Sequence, residues 1–509
     1  MQTANETTHT LNGHRLWITA IVLALSNFMV VLDTTIANVS VPHIAGGIGV
    51  SPDQGTWIVT SYSVAEAVCV PLTGFLAARF GSVRVFIASM IGFAIFSLLC
   101  GFAPTLASIV VFRLGQGFCG GPLMPLTQTL LLRIFPREKH GQALALWSMT
   151  TVTAPIFGPI LGGVISDNWS WNWIFFINLP IAIGCVLCAI RLLRGVETPL
   201  ERAQIDKMGM ALLVVWIGAL QVMLDLGRDR DWLNSHFIAT LAVIAAVGFA
   251  FFCAWEMTDR HPAVDLRVFR HRGFSASVTA LAFGYGTFFV SAVIIPQWLQ
   301  SSLGYTATWA GVATAFTGVP AVIFSPIVAK LSNRYDPRSL VCFGIFWFGA
   351  TTLLRTHWTS GVDFWTIALP QLLQGIALPF FFVPITSIGL AAVEPREVAS
   401  AAGLMSFLRT MSGAVGTSIA TTAWDDSSRV ARSELVGKLH VTATETVLQT
   451  RGFSLDVITG LIEQSVDKEA LALATDHIFL LSAIIFFFAS MLIWLAPRPQ
   501  RTIEPGVAH

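Results

Sequence analysis

The sequence predicts an all-α polytopic membrane protein of fourteen transmembrane helices, two six-helix bundles with an inserted helix hairpin. Three observations carry that expectation. The 509 residues are 54% hydrophobic and only 12% charged, against about 25% charged in a soluble domain, and the mean hydropathy is +0.70. Fourteen apolar windows approach the ~20 residues that a bilayer core requires. Short stretches also recur 252 to 259 residues apart.

The windows fall near 16–39, 55–77, 83–103, 106–132, 141–164, 173–193, 208–226, 235–257, 274–298, 308–331, 339–355, 364–391, 399–423 and 477–496. Orientation follows from Lys and Arg in the connections. With the N-terminus inside, 20 of the 30 basic residues fall on inside segments. They are Arg15; Arg79 and Arg84; Arg133, Arg137 and Lys139; Arg191, Arg194, Arg202 and Lys207; Arg260, Arg267, Arg270 and Arg272; Lys330, Arg334 and Arg338; Arg396; and Arg498 and Arg501. Eight fall outside, five of them in one long loop and three, Arg228, Arg230 and Arg355, in short ones. Arg113 and Arg409 lie within helices. A missed or false helix would invert every later loop and spoil the bias. The expected plan is a cytoplasmic N-terminus (1–15), a six-helix bundle (16–193), a linker with helices 7 and 8 (194–260), a second six-helix bundle (261–496) and a cytoplasmic tail (497–509).

The repeat decides the expected architecture. "TWIVTSYS" at Thr56 answers to "TWAGVATA" at Thr308. "RLGQG" at 113–117 answers to "QLLQG" at 371–375, "PRE" at 136–138 to "PRE" at 395–397, and Gly158 to Gly416. Each pair sits in the same topological place. Helices 1–6 thus match helices 9–14 as a parallel repeat, because an even number of helices separates the copies.

Other classes are excluded by what is missing. No GxxxxGK[ST] phosphate loop, HExxH, GxSxG or zinc-spaced Cys/His set occurs. The net charge of +1 and the lack of a basic run argue against nucleic acid. All seven cysteines lie in apolar segments, and the Cys185/Cys188 pair has no acid or His beside it, so neither a disulfide frame nor a redox motif is expected. The first 14 residues lack a signal peptide's basic start, so the first apolar segment is expected to stay as an anchor. In the outside loop 424–476, Leu455, Ile458, Leu461, Ile462 and Val466 recur at helical spacing. The pattern predicts an amphipathic helix over 453–473, lying on the membrane, packed on the bundle, or docking a partner.

The chemistry must come from charges at membrane depth. Asp33 (helix 1), Glu66 (helix 2), Arg113 (helix 4) and Arg409 (helix 13) interrupt apolar runs, each at roughly 3 kcal/mol if unpaired. A carboxylate near an arginine in such a cavity can bind and release a proton. Asp33, Glu66 and Arg113 are therefore the candidate proton-coupling residues, against the alternative of an ion pair that only joins helices. Arg409 is placed to attract an anionic or polarised group. "APIFGPILGG" at 154–163 sets Gly158, Gly162 and Gly163 along one helix with Pro155 and Pro159. Small residues let a neighbour come close, and prolines favour a bend, which suits a pivot between the halves or plain close packing.

These residues resemble the fourteen-helix drug:proton antiporter branch of the major facilitator superfamily, over essentially the whole chain. "LDTTIANVSVP" is similar to that branch's helix 1 motif, with Asp33 and Asn38. "RLGQG" resembles its helix 4 motif with Arg113, Gln116 and Gly117. "GPILGG" resembles its helix 5 antiporter motif, and "WSWNWIFFINLPI" its signature before helix 6, with Trp173, Phe175, Asn178 and Pro180. One departure stands out. The family loop reads G-x-L-a-D-R-x-G, whereas "GFLAARFG" keeps Gly74, Arg79 and Gly81 but has Ala78 in place of the aspartate, which puts a cytoplasmic latch at that loop in doubt.

The resemblance implies proton-driven export of hydrophobic or amphiphilic drugs by alternating access, with the proton gradient as energy source and no cofactor. It implies a bacterial inner-membrane pump with a periplasmic adaptor and an outer-membrane channel as partners. Asn27, Thr34, Asn38, Gln128, Trp147, Thr151, Phe288, Gln297, Phe380 and Met405, with Arg409, are the candidate substrate-lining residues, being polar or bulky in helices that usually face the cavity. A symporter or importer of a small metabolite on the same fold is the alternative.

Overall fold

The computed structural model describes residues 11, 13–136, 139–198, 200, 206–259, 262–394, 396–438 and 454–498. Arg137, Glu138, Arg202, Arg260, Pro395, Arg501 and the side chain of Pro159 lie outside the described residues. The described chain is helical, with no strand.

The N-terminal half contains α1 (Gly13–Ile48), α2 (Trp57–Cys69), α3 (Thr73–Phe80), α4 (Ser82–Gly101), α5 (Leu106–Gly120), α6 (Leu123–Ile134), α7 (His140–Asn168) and α8 (Asn178–Leu192). The inserted hairpin is α9 (Lys207–Leu226) and α10 (His236–Thr258). The C-terminal half contains α11 (Arg272–Ser301), α12 (Ala307–Ala315), α13 (Gly318–Arg334), α14 (Pro337–Leu353), α15 (Phe364–Ala391), α16 (Val398–Lys438) and α17 (Leu455–Leu492).

All fourteen windows are helical, but fourteen spans do not follow. Among the described residues ten helices are long and apolar enough to cross a membrane, and up to twelve if each of two bent pairs is one span. The pairs are α2 with α3, bent by 57°, and the two parts of α7, bent by 42° between Pro155 and Ile160. Of the remaining windows, α14 has 17 residues, and α16 is diluted by Ser400, Gly403, Ser406, Thr410, Ser412, Gly413 and Gly416. The first helix runs past its apolar window, through Pro42, to Ile48.

The outside loop is the main correction. α16 continues to Lys438 and α17 begins at Leu455, while 439–453 lie outside the described residues. The amphipathic stretch expected as a separate helix is the first half of α17 and continues into the last span. At 1.5 Å per residue these helices are roughly 60 Å long, about twice the ~30 Å hydrocarbon core. They project as a paired stalk. Arg432 Nε bonds Asp467 Oδ1 at 2.6 Å and Trp424 Nε1 donates to Thr475 Oγ1 at 2.9 Å across the pair.

Basic residues from many connections meet at the opposite end. Arg15 donates to the Leu192 carbonyl at 2.9 Å and Arg133 to the Glu197 carbonyl at 2.8 Å. Arg338 donates to the Ala496 carbonyl at 2.9 Å, and Arg270 pairs with Glu394 and Glu397 at 3.1 and 2.9 Å. At this basic end the halves also touch: a Cβ on Gly74 would lie 2.7 Å from Ser400 Cα, and one on Gly141 3.0 Å from the Ala329 carbonyl oxygen. The hairpin leans on both halves. Ser418 donates to the Leu224 carbonyl at 2.8 Å, and Gly218 faces Val64.

The repeat is visible in packing. A Cβ on Gly117 would lie 2.3 Å from the Tyr62 carbonyl oxygen, and one on the matching Gly375 2.2 Å from that of Thr317. No side chain fits against a backbone at that distance. Gly117→Ala should therefore lower the melting temperature and the monodisperse yield of the detergent-purified protein, consistent with about 1–3 kcal/mol of overpacking. Gly184→Ala, which meets nothing within 4 Å, should leave both unchanged.

Candidate functional site

Asp33 sits on α1 and is 2% exposed. Its Oδ2 accepts from Arg113 Nη1 at 2.7 Å. Its Oδ1 accepts from Gln116 Nε2 at 3.0 Å and from Asn178 Nδ2 at 2.6 Å. Arg113 and Gln116 lie three residues apart on α5, hence on one face, and Arg113 Nη1 also reaches Gln116 Oε1 at 2.9 Å. Arg113 Nε donates to the Ile58 carbonyl at 3.2 Å, and the Tyr62 ring lies 4.2 Å from the guanidinium. Asn178 also donates to Ser97 Oγ at 3.1 Å, and that hydroxyl donates to the Phe175 carbonyl at 2.8 Å. The pair thus joins α1, α2, α4, α5 and α8. Protonating Asp33 would break one of these bonds and leave Arg113 without its counter-charge.

Glu66, on α2, is half-buried and makes no ion pair among the described residues. The charges that act on it are Arg409, Arg113 and Asp33. Arg409, on α16, is 3% exposed. Its guanidinium lies 5.2 Å from the Trp147 ring of the other half and 5.6 Å from that of Tyr285. Its Nη2 touches the Met124 sulfur. Glu66 therefore lies within the field of one cation from each half.

Around Arg409 the halves enclose a cavity of ≈ 10 Å³, room for about one water. Gln128, Trp147, Met405 and Arg409 line it, with Leu281, Phe382, Thr386 and Ser406. The other expected lining residues lie elsewhere. Asn27 donates to Thr150 and Thr151 hydroxyls at 3.0 and 2.8 Å, tying α1 to α7. Phe288 packs 5.5 Å from Phe348 in the C-terminal core. Phe380 stacks edge-on to Phe343 at 4.9 Å, near Leu144 and Val328 at the seam. Thr34 bonds the Val30 carbonyl at 3.3 Å. Gln297 is half-buried and Asn38 exposed.

A family model described as Major Facilitator Superfamily matches residues 23–290 and 276–425. The chain belongs to the Major Facilitator Superfamily. It is 44% identical over 495 residues to the multidrug export protein EmrB of Escherichia coli strain K12, covering 96% of this chain and 97% of that one. It is 42% identical over 490 residues to the fatty acid resistance protein FarB of Neisseria gonorrhoeae, covering 95% and 96%. Two solved structures share the fold at 14% identity. The human organic anion transporter MFSD10 has a TM-score of 0.56, covering 93% of this chain and 100% of that one. A bacterial homologue of the lysosomal transporter Spinster, inward-facing and unoccupied, has a TM-score of 0.54, covering 96% and 100%.

The stretches that resemble superfamily motifs are placed as follows. Near the loop where Ala78 replaces the motif aspartate, Gly81 has φ 92°, and Glu197 brings a carboxylate there. It accepts from the Val83 and Arg84 N–H groups at 2.9 and 3.1 Å. That acid caps α4 within its own half and does not bridge to the other. Arg79 lines a surface groove of ≈ 490 Å³ with Phe80 and Arg84. On α7, Gly158 faces Thr35 and Gly162 faces the Ile36 carbonyl, with Gly163 also buried. Gly158 and Gly162 thus pack on α1 of the same half.

Gln116 and Asn178 stand in the sequence only as motif residues, and their place beside Asp33 is legible in the spacing of Gln116 to Arg113 and in an amide within an apolar run; Tyr62 and Tyr285 carry no such signal. Removing one partner of a buried ion pair costs about 3–5 kcal/mol. Asp33→Asn should lower the melting temperature of purified protein and abolish transport. Asp33→Asn with Arg113→Gln should recover most of the stability and none of the transport. Equal melting of the single and double variants would show that the pair does not carry the N-terminal half.

Proposed function

We propose that this chain is a proton-driven exporter of hydrophobic and amphiphilic toxic compounds, working by alternating access. One arrangement supports the reading: Glu66 makes no ion pair among the described residues, and the cations that act on it are Arg113 of its own half and Arg409 of the other. A group so placed exchanges its proton as the halves move, whereas Asp33 is held by three donors. Glu66 is the acid that loads and unloads, Asp33 and Arg113 set its field, and the guest displaces the Arg409 contacts with Met124 and Trp147. One proton crossing 100 mV releases ~2.3 kcal/mol, enough for roughly a 50-fold gradient. The relatives named for multidrug export and fatty acid resistance support this substrate class.

We place the protein in the bacterial inner membrane with both termini and the basic end cytoplasmic, following the positive-inside rule. The stalk of α16 and α17 then stands in the periplasm. Its Val430, Val436, Val457 and Leu461 are 58%, 49%, 48% and 42% exposed. Beyond the membrane such an apolar surface suits a protein partner: an EmrA-like periplasmic adaptor leading to a TolC-like outer-membrane channel.

In everted vesicles with an acid interior, adding a lipophilic drug should discharge the pH gradient, and an uncoupler should stop drug accumulation. Glu66→Gln should bind drug with a Kd within about threefold of the parent, because the cavity wall is intact, yet release no protons. Accumulation that survives a collapsed gradient would overturn proton coupling.

Val457→Lys with Leu461→Lys should abolish co-purification with the adaptor and leave drug binding unchanged. Retained co-purification would move the docking site off the stalk.

A further inference from the structure

The C-terminal half has its own buried guanidinium, and nothing in the transport scheme uses it. Arg355 follows α14 and is 0% exposed. The charge pattern of the sequence put it in an outside loop; the structure puts it inside the helices. Its Nη2 donates to Gln374 Oε1 at 2.6 Å and Gln371 Oε1 at 3.0 Å, and reaches the Pro370 carbonyl at 3.5 Å. Gln371 and Gln374 are 3% and 1% exposed.

No carboxylate balances this charge. Arg355 makes no ion pair among the described residues, and Asp476 is engaged by the Trp358 N–H at 3.2 Å. Four N–H groups of the cluster are buried without a hydrogen-bond partner: Arg355 Nε and Nη1, Gln371 Nε2 and Gln374 Nε2. The amide orientations follow from the geometry, because each glutamine turns its oxygen to the same Nη2. What remains on every member is a donor. A buried cation left with donors alone is costly, and an anion is the chemistry that satisfies it.

The repeat shows what such an anion replaces. Gln371 and Gln374 occupy the repeat positions of Arg113 and Gln116, and Gly375 that of Gly117. Each guanidinium stands near a phenylalanine ring, Phe175 at 5.7 Å from Arg113 and Phe479 at 5.8 Å from Arg355, and Arg113 has the Tyr62 ring beside it as well. In the N-terminal half the guanidinium and the amides converge on the Asp33 carboxylate. The C-terminal half keeps the guanidinium and the amides but, among the described residues, pairs no carboxylate with them.

We propose that the C-terminal half binds a small monovalent anion of chloride size at Arg355, Gln371 and Gln374, where its repeat partner uses Asp33. The anion is structural: it neutralises the buried guanidinium and lets α14 and α15 pack.

The test uses the full-length purified protein, melted in chloride, bromide, acetate or gluconate at equal ionic strength. Chloride and bromide should raise the melting temperature saturably over gluconate by a few degrees, and crystals in bromide should show an anomalous peak beside Arg355. Gln374→Glu supplies the missing carboxylate in place. It should melt at the chloride-saturated temperature in gluconate and lose the halide response. Arg355→Gln should also lose the response. The same melting in chloride and gluconate, with no bromide peak, would overturn the proposal. So would a halide response that persists in both variants. A rise with acetate but not with chloride would overturn the halide and assign the site to a carboxylate guest.

Discussion

The ion pair between Asp33 and Arg113 constrains everything around it. Two opposite charges at helix depth are stable only while together and fully hydrogen-bonded. Gln116, Asn178 and the Ile58 carbonyl complete the shell, and Tyr62 closes one face. Five helices contribute to one small volume, so none can slide without exposing an unpaired charge. These five helices are therefore tied together. Motion that serves transport has to occur where this half meets the other.

The seam has a different chemistry. At the basic end it is made of small residues and bare backbone, with Gly74 on Ser400, Gly141 on the Ala329 carbonyl and Gly403 on the Val70 carbonyl. Such surfaces approach closely but do not interlock through long side chains, so separating them strips few specific bonds. At the centre Arg409 is the exception, wedged between Trp147 and Tyr285 with its tip on Met124. The cavity beside it holds about one water. A drug-sized guest enters only as this contact opens, which ties binding to separation of the halves.

Much of this was legible in the sequence. Apolar length located the helical stretches, though not how many of them span, and the repeat is visible where Gly117 and Gly375 pack on matching backbones. Asp33, Arg113 and Arg409 were visible because a charge in an apolar run is rare. Rotation and depth were not visible. Asn27 and Thr151 are polar residues in suitable helices, yet they bond to each other inside one half. Periodicity also does not say where a helix stops. Leu455 to Val466 repeat at helical spacing whether the helix ends at the membrane or runs into it, and here it runs on. Arg355 misled for a related reason, since its place at the end of an apolar window resembles a loop charge. Only the folded bundle shows that it is covered.

Rigidity in one half and looseness at the seam together suggest how a proton is made to matter. Asp33 neutralises Arg113 at close range, while Arg409, the other cation that acts on Glu66, belongs to the other half. In the proposed cycle, separation of the halves changes that interaction, and by linkage the protonation of Glu66 biases the separation. No strained or moving part beyond the seam is needed, provided Arg113 stays locked to Asp33 and does not follow Glu66. The sealed ion pair thus leaves Glu66 free to respond to Arg409 of the opposite bundle as well as to the charges of its own.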